Sequence, residues 1–323
     1  MGTGGQLERR QQVFRTRDFH FEGGAALREL RIAYWTAGQL SPSKDNVLFL
    51  CHGASGNRDW ALPFCAAGRA FDASRWFIIS ADMPGGGGSS RSSTDPEFPA
   101  SYSIGDLSAA TALLLEDLGI GALRAFCGAS MAGLIGLDLA YRRPDLVRGL
   151  ALWVTSYRSD GFARALTESL VGILRLDGGE TGIRAAVGAF LPSLAGRKMI
   201  ADMSPTALAT LLNNVAREWC ANWTAAELIA RYSAVGGCDL ASHRGGIASL
   251  ASGLKCPVAF LQSSSDVIYP PGDVEDLAAL MLQATVKTLP TQHGHIAPAA
   301  PPGSAEFSFF NDRTTAFLNA LPP

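Results

Sequence analysis

From Val47 onward, short apolar runs alternate with amphipathic stretches, and this alternation predicts the architecture. Val47 to Cys51 is continuously apolar, the pattern of a strand buried on both faces of a sheet. Trp76 to Ala81, Leu150 to Val154 and Cys256 to Leu261 read the same way, and Thr285 to Leu289 supplies a last strand. Ahead of them, Leu30 to Ala37 roughly alternates between faces, as a strand with one covered face does. Ser103 to Gly119 predicts a helix, with Ser103 and Asp106 spaced as a capping box and Leu107, Leu114 and Leu118 sharing a face. Further helices are expected from about Asp273 to Leu282 and from Thr314 to Leu321. Strand and helix in turn imply parallel βαβ units, so the fold class is α/β with a mostly parallel, doubly wound sheet.

The rhythm breaks once. From about Tyr157 to Gly246 the pattern is helical only. The expected organisation is therefore a helical cap (157–246) inserted into a core made of 28–156 and 247–323, preceded by an N-terminal tail and lead-in (1–27).

The most informative stretch is Leu123 to Leu134, an apolar strand, a Gly-x-Ser-x-Ala turn and the start of a helix that runs to about Tyr141. A serine on so sharp a strand-to-helix turn is a nucleophile elbow. Gly128 and Ala132 leave room for the crowded backbone, and Ser130 is held up at the top of the sheet. The Met131 amide, first in the helix, points where an oxyanion would develop, and the helix dipole favours negative charge there. His52-Gly53-Ala54-Ser55-Gly56 follows the Val47 to Cys51 strand, at the sheet edge where sites form in open α/β folds. Ala54 is the candidate for a second backbone donor. Gly85 to Gly88 fails both the dinucleotide and the P-loop patterns and is expected to be a mobile loop beside the site.

Two later loops complete the chemistry. Asp266 follows the strand that begins at Cys256, and His295 follows the last strand. A serine hydroxyl is a poor nucleophile until an imidazole removes its proton; His295 would do so, with Asp266 fixing its tautomer and stabilising its charged form. His293 and His52 are rival histidines, and Asp239 and Asp273 rival acids. His295 is preferred because Gly294 suits a loop presenting a ring to a crowded site, and Asp266 because its strand is the clearest in the second half. His52 is expected to be structural. Trp60, Trp219 and Trp223 are candidates to line an apolar substrate pocket, against the competing reading that the cap aromatics are core.

Bulk properties narrow the classes. The 323 residues are 47% hydrophobic and 17% charged, with a net charge of −2. This gives no electrostatic case for nucleic acid or an anionic membrane surface as partner. No apolar run is long enough to span a bilayer. Met1 to Gln12 lacks the apolar segment of a signal peptide, and Gln6 breaks the myristoylation pattern, so a soluble, cytoplasmic chain is expected. Six scattered cysteines without a Cys-x-x-Cys pair, and five histidines without a ligand cluster, imply buried thiols and no metal.

Ser130, Asp266 and His295 in this order, each past the C-terminal end of a strand, resemble the triad of the α/β-hydrolase superfamily. Within it the chain resembles the homoserine O-acetyltransferase-like family from roughly Arg28 to the C-terminus. The matching residues are His52 to Gly56, Gly128-Ala129-Ser130-Met131-Ala132-Gly133, Ser265-Asp266 with Tyr269-Pro270-Pro271, and Gly294-His295. The resemblance implies an α/β-hydrolase fold and an acyl group carried on Ser130, passed to water or to a hydroxyl acceptor. The transferases usually read Gly-Gly-Ser-Met-Gly-Gly at the elbow, where this chain has Ala129 and Ala132. They commonly carry Asp after the histidine, where this chain has Ile296, and the chain is short for that group. These departures favour a serine hydrolase of a small ester, amide or lactone that needs no cofactor. The alternative is an acyl-CoA-dependent O-acyltransferase, with acetyl-CoA or another acyl-CoA as co-substrate. A non-catalytic binding relative is a third class, which the intact triad argues against. The sequence leaves open the substrate and the oligomeric state, a homodimer included.

Overall fold

The computed structural model describes residues 7–322. Met1 to Gln6, where the myristoylation pattern fails, lies outside the described residues. Its strands are β1 (Arg10–His20), β2 (Ala26–Ala37), β3 (Val47–Cys51), β4 (Phe77–Ala81), β5 (Ala125–Ala129), β6 (Leu150–Trp153), β7 (Val258–Ser263) and β8 (Ala284–Leu289). They form one eight-stranded sheet in the order β1-β2-β4-β3-β5-β6-β7-β8. From β4 across to β8 the strands are parallel, while β1 and β2 form an antiparallel hairpin joined antiparallel to β4. The parallel part is the one that the apolar runs predict: β3, β6 and β7 are buried at every position.

The helices α1 (Ile104–Asp117), α2 (Met131–Arg142), α8 (Ile247–Gly253), α9 (Pro271–Ala278) and α10 (Ala305–Ala320) pack around this sheet. The predicted capping box closes α1, Ser103 Oγ accepting from the Asp106 amide and the Asp106 carboxylate from the Ser103 amide. On one face of the sheet lies a core that includes Phe49, Phe126, Leu134 and Leu137. On the other, the Trp153 ring packs among Phe64, Phe71 and Phe310, and its indole N–H donates to Thr314 at 3.0 Å.

Between β6 and β7 the chain runs through α3 (Gly161–Leu176), α4 (Glu180–Ala195), α5 (Arg197–Ala201), α6 (Pro205–Asn222) and α7 (Ala225–Gly236). No helix among the described residues is long and apolar enough to cross a membrane.

Several boundaries differ from expectation. Within the expected lead-in, Arg10–His20 is β1, an edge strand whose only buried side chains are Phe14 and Phe19. Its exposed positions are charged or polar apart from Val13, as suits an edge strand, and the two buried rings stand five residues apart, so no period of two marks it. The closing helix starts at Ala305, not Thr314, because Ser304 caps it through the Phe307 amide at 3.0 Å. The helix expected from Asp273 to Leu282 is Pro271–Ala278, with Pro271 in its first turn.

Candidate active site

β5 ends at Ala129 and α2 begins at Met131, leaving Ser130 alone on the turn with φ 59° and ψ −122°. A non-glycine residue there is strained and persists only where its surroundings over-determine it. Here they do. The Ser130 amide donates to the Trp153 carbonyl at 2.9 Å, and its own carbonyl accepts from the Gly133 amide at 2.8 Å and the Thr155 hydroxyl at 2.7 Å. Thr155 is fixed in turn by Gln262, which accepts from its amide and donates to its carbonyl. Gly128 is required by space: a Cβ on it would sit 2.6 Å from the Cys51 carbonyl and closer still to the Ala132 methyl.

The turn delivers Ser130 Oγ to His295, whose Nε2 lies 2.8 Å away, while His295 Nδ1 lies 2.7 Å from Asp266 Oδ2. Asp266 Oδ1 accepts from the amides of Ile268 and Tyr269, so the carboxylate cannot rotate away. Asp266 and His295 are both buried. In this arrangement an imidazole can take the hydroxyl proton while the carboxylate holds Nδ1 in its protonated tautomer. Gly294, at φ 57°, bonds Ser265 through its amide, and a Cβ there would lie 2.6 Å from the Gly196 nitrogen between α4 and α5. The histidine loop is thus seated directly against the cap.

The rivals lie elsewhere. His293 is half exposed and pairs with Glu306 at 2.8 Å and Thr291 at 3.0 Å. Asp239 accepts the amides of Ala241 and Ser242, and Asp273 faces Ser156 and Arg158. His52 is buried, donates from Nδ1 to the Gly53 carbonyl at 2.7 Å and accepts the Met83 amide on Nε2 at 3.0 Å. Burial, with the Arg231 charge nearby, pushes its pKa down to about 4, so it stays neutral. Those bonds hold the loop after β3 against the elbow, where a Cβ on Gly53 would be 3.5 Å from Ser130 Cβ and 4.0 Å from Oγ.

Ser130 and His295 open into a cavity of about 370 Å³. The core lines it with Gly53, Ala54, Ser55, Gly56, Trp60, Val154, Ile268, Tyr269 and Ile296, and the cap with Ala163, Thr167, Phe190, Leu194, Tyr232 and Val235. No Asp, Glu, Lys or Arg is among the lining residues. Trp60 is among the lining residues, packed edge-on against Trp153. Trp219 and Trp223 are not. Trp219 is buried behind Tyr232, with ring centres 5.7 Å apart, and Trp223 stands over the Arg231 guanidinium at 5.4 Å. Both sit at the inward-facing C-terminal end of α6, where large apolar rings complete the cap core.

The glycine run also departs from expectation. Pro84, Gly85 and Gly86 are buried, the Gly85 amide bonds Ser90, and the Gly88 amide bonds Asp82 at 2.8 Å. It is a pinned turn outside the cavity lining. Phe190, Leu194 and Tyr232 escaped the sequence reading as cavity residues, since helical spacing marks a buried face without saying whether core or cavity lies beyond it; Thr155 escaped because it lies in the loop after β6, where no periodic pattern marks it.

All six cysteines are unpaired, and burial pushes the thiols of Cys51, Cys127 and Cys238 far up, so these three do not compete as nucleophiles. Among the described residues no cluster of three or more His, Cys, Asp or Glu could hold a metal.

Comparison with known proteins agrees with this architecture. The chain is 26% identical over 340 aligned positions to homoserine O-acetyltransferase of Chloroherpeton thalassium, covering 94% of this chain and 87% of that protein. It is 27% identical over 313 positions to homoserine O-acetyltransferase of Trichormus variabilis, covering 86% and 87%. Its fold matches an acetylester hydrolase from Corynebacterium glutamicum with a TM-score of 0.88 at 19% identity, over 96% of each chain. Homoserine O-acetyltransferase from Bacillus anthracis matches with a TM-score of 0.85 at 18% identity, over 98% of this chain and 99% of that one. Residues 46–297 match the model of the alpha/beta hydrolase fold, and the chain belongs to that family.

Proposed function

We propose that this protein is a serine hydrolase that cleaves a small, uncharged carboxylic ester through an acyl-enzyme on Ser130. The observation that carries the reading is the unbroken series Ser130 Oγ to His295 to Asp266, opening into a cavity lined by no Asp, Glu, Lys or Arg. Ser130 Oγ attacks the ester carbonyl as its proton passes to His295 Nε2. The oxyanion forms against the amides of Ala54 and Met131, and the alcohol leaves with the proton from His295. Water then repeats the sequence on the acyl-enzyme, releasing the acid and regenerating Ser130. None of these steps needs a metal or cofactor.

The same first half-reaction serves an acyl-CoA-dependent O-acyltransferase, and the names of the curated relatives favour that second reading. Homoserine carries an ammonium and a carboxylate, and burying either without a partner costs several kcal/mol. With Ile296 beside His295 and no charged lining residue, the cavity offers neither a counter-ion, which supports the neutral ester.

The test is acyl release from p-nitrophenyl esters, acetate through octanoate, with and without an alcohol acceptor, while mass spectrometry follows Ser130. Release to water unchanged by acceptor is expected, with Ser130→Ala losing turnover but not fold. An acyl-Ser130 that clears only on adding acceptor would overturn hydrolysis in favour of transfer.

A further inference from the structure

Arg231, on α7 of the cap, is fully buried yet lies outside the cavity lining. Its hydrogen-bond partners are all uncharged. Nε donates to the Tyr102 hydroxyl at 2.7 Å, one terminal nitrogen contacts Met131 Sδ at 3.6 Å, and the other donates to the carbonyls of Met83 at 3.1 Å and Pro84 at 2.9 Å. Glu227, one turn earlier, turns instead to Ser93, Arg91 and the Thr224 amide. A buried cation without a carboxylate on its fork is costly and calls for a reason.

Its contacts supply one. The first arm ends on Met131, the residue whose amide opens α2 beside Ser130. The second runs through Met83, whose amide donates to His52, and from His52 to the Gly53 carbonyl, next to Ala54. One planar guanidinium therefore braces both sides of the site where negative charge would develop, and its rigid fork makes these contacts simultaneously. Trp223 and Tyr102 close over it, with ring centres 5.4 Å and 5.8 Å away, and exclude water.

We infer that Arg231 is a positioning residue that holds the Ala54 and Met131 amides in register and sets a fixed positive charge behind them. The inference rests on the proposed acyl-enzyme chemistry at Ser130. It makes the oxyanion site dependent on the cap, since the guanidinium arrives on a cap helix.

The test compares Arg231→Lys, Arg231→Met and the wild type, reading kcat and KM for p-nitrophenyl acetate and Ki for a small alkyl trifluoromethyl ketone. Ser130 Oγ adds to the ketone carbonyl, its proton passing to His295, and the resulting hemiketal oxyanion reports the same amides. The expected result in Arg231→Met is a fall in kcat of about 10²-fold, KM changed by less than about threefold, and Ki raised as far as kcat falls. Arg231→Lys should lose less, keeping the charge but not the fork. Loss confined to KM, or a Ki that does not follow kcat, overturns the inference. Where Arg231→Met does not fold, Arg231→Lys and Tyr102→Phe are judged by the same ratio. A wild type that neither turns over the ester nor binds the ketone defeats the hydrolase reading itself, whereas active wild type with unaltered variants defeats only the role of Arg231.

Discussion

Gly128→Ala perturbs the elbow without touching any reacting atom. The added methyl would lie 2.6 Å from the Cys51 carbonyl, where real Cβ contacts keep at least 3.0 Å, and closer still to the Ala132 methyl. Cys51 ends β3, which is paired on both sides by β4 and β5, so its carbonyl cannot withdraw; the elbow must shift by roughly half an ångström. Overpacking of this kind costs about 1–3 kcal/mol. A 1 Å misplacement of a reacting group costs about 10² in rate, so half that shift predicts about a tenfold fall in kcat with KM little changed. Thermal unfolding and p-nitrophenyl acetate kinetics are the assays, run on Gly128→Ala, Ala132→Gly and the double variant. Ala132→Gly removes one wall but leaves the Cys51 carbonyl, so rescue should be partial, with at least about 1 kcal/mol unrecovered. Wild-type Tm and kcat in Gly128→Ala, or complete rescue by Ala132→Gly, would refute the argument.

Other consequences are as direct. His295→Ala and Asp266→Asn should each lower kcat by about 10³-fold or more, whereas His293→Ala, which breaks a half-exposed pair with Glu306, should lose less than about tenfold; kcat in the three variants decides the assignment. His52 has a pKa of about 4 when folded against an ordinary 6.5, so the unfolded chain binds its proton more readily. This contribution to stability is complete above about pH 6.5 and is lost as pH falls toward 4, amounting to about 3 kcal/mol at most. Tm measured against pH should be flatter across that window in His52→Gln, and identical slopes would exclude the effect. Phe190→Ala should extend the longest acyl chain accepted, because the ring lines the cavity from the cap; an unchanged optimum in the p-nitrophenyl series would place the acyl group elsewhere.

The central sheet and the elbow were legible because their determinants are local. A parallel strand covered on both faces is marked by an apolar run, as β3 is throughout and β7 is from Val258 to Leu261 before it ends in Gln262 and Ser263. A strained turn needs small residues at fixed offsets, as Gly128 shows. The order Ser130, Asp266, His295 could be read because each residue follows a strand that the hydrophobic pattern marks. β1 was invisible by the same logic, since this edge strand buries only Phe14 and Phe19, five residues apart, among mostly polar and charged neighbours.

Only the tertiary structure decided which cap aromatics face the cavity. Trp219 and Tyr232 are both buried and stacked on each other, yet Tyr232 alone lines the site. Helical periodicity reports that a side chain is buried, not what it is buried against. The same limit hid Arg231, whose Met131 and Met83 partners lie 100 and 148 positions away in sequence. Thr155, in the loop after β6, was hidden by separation in sequence alone, since it reaches back 25 residues to the Ser130 carbonyl. Strand, turn and cap signals are written in neighbours along the chain. The bracing of the elbow is written in neighbours across it, and those exist only once the cap has closed on the sheet.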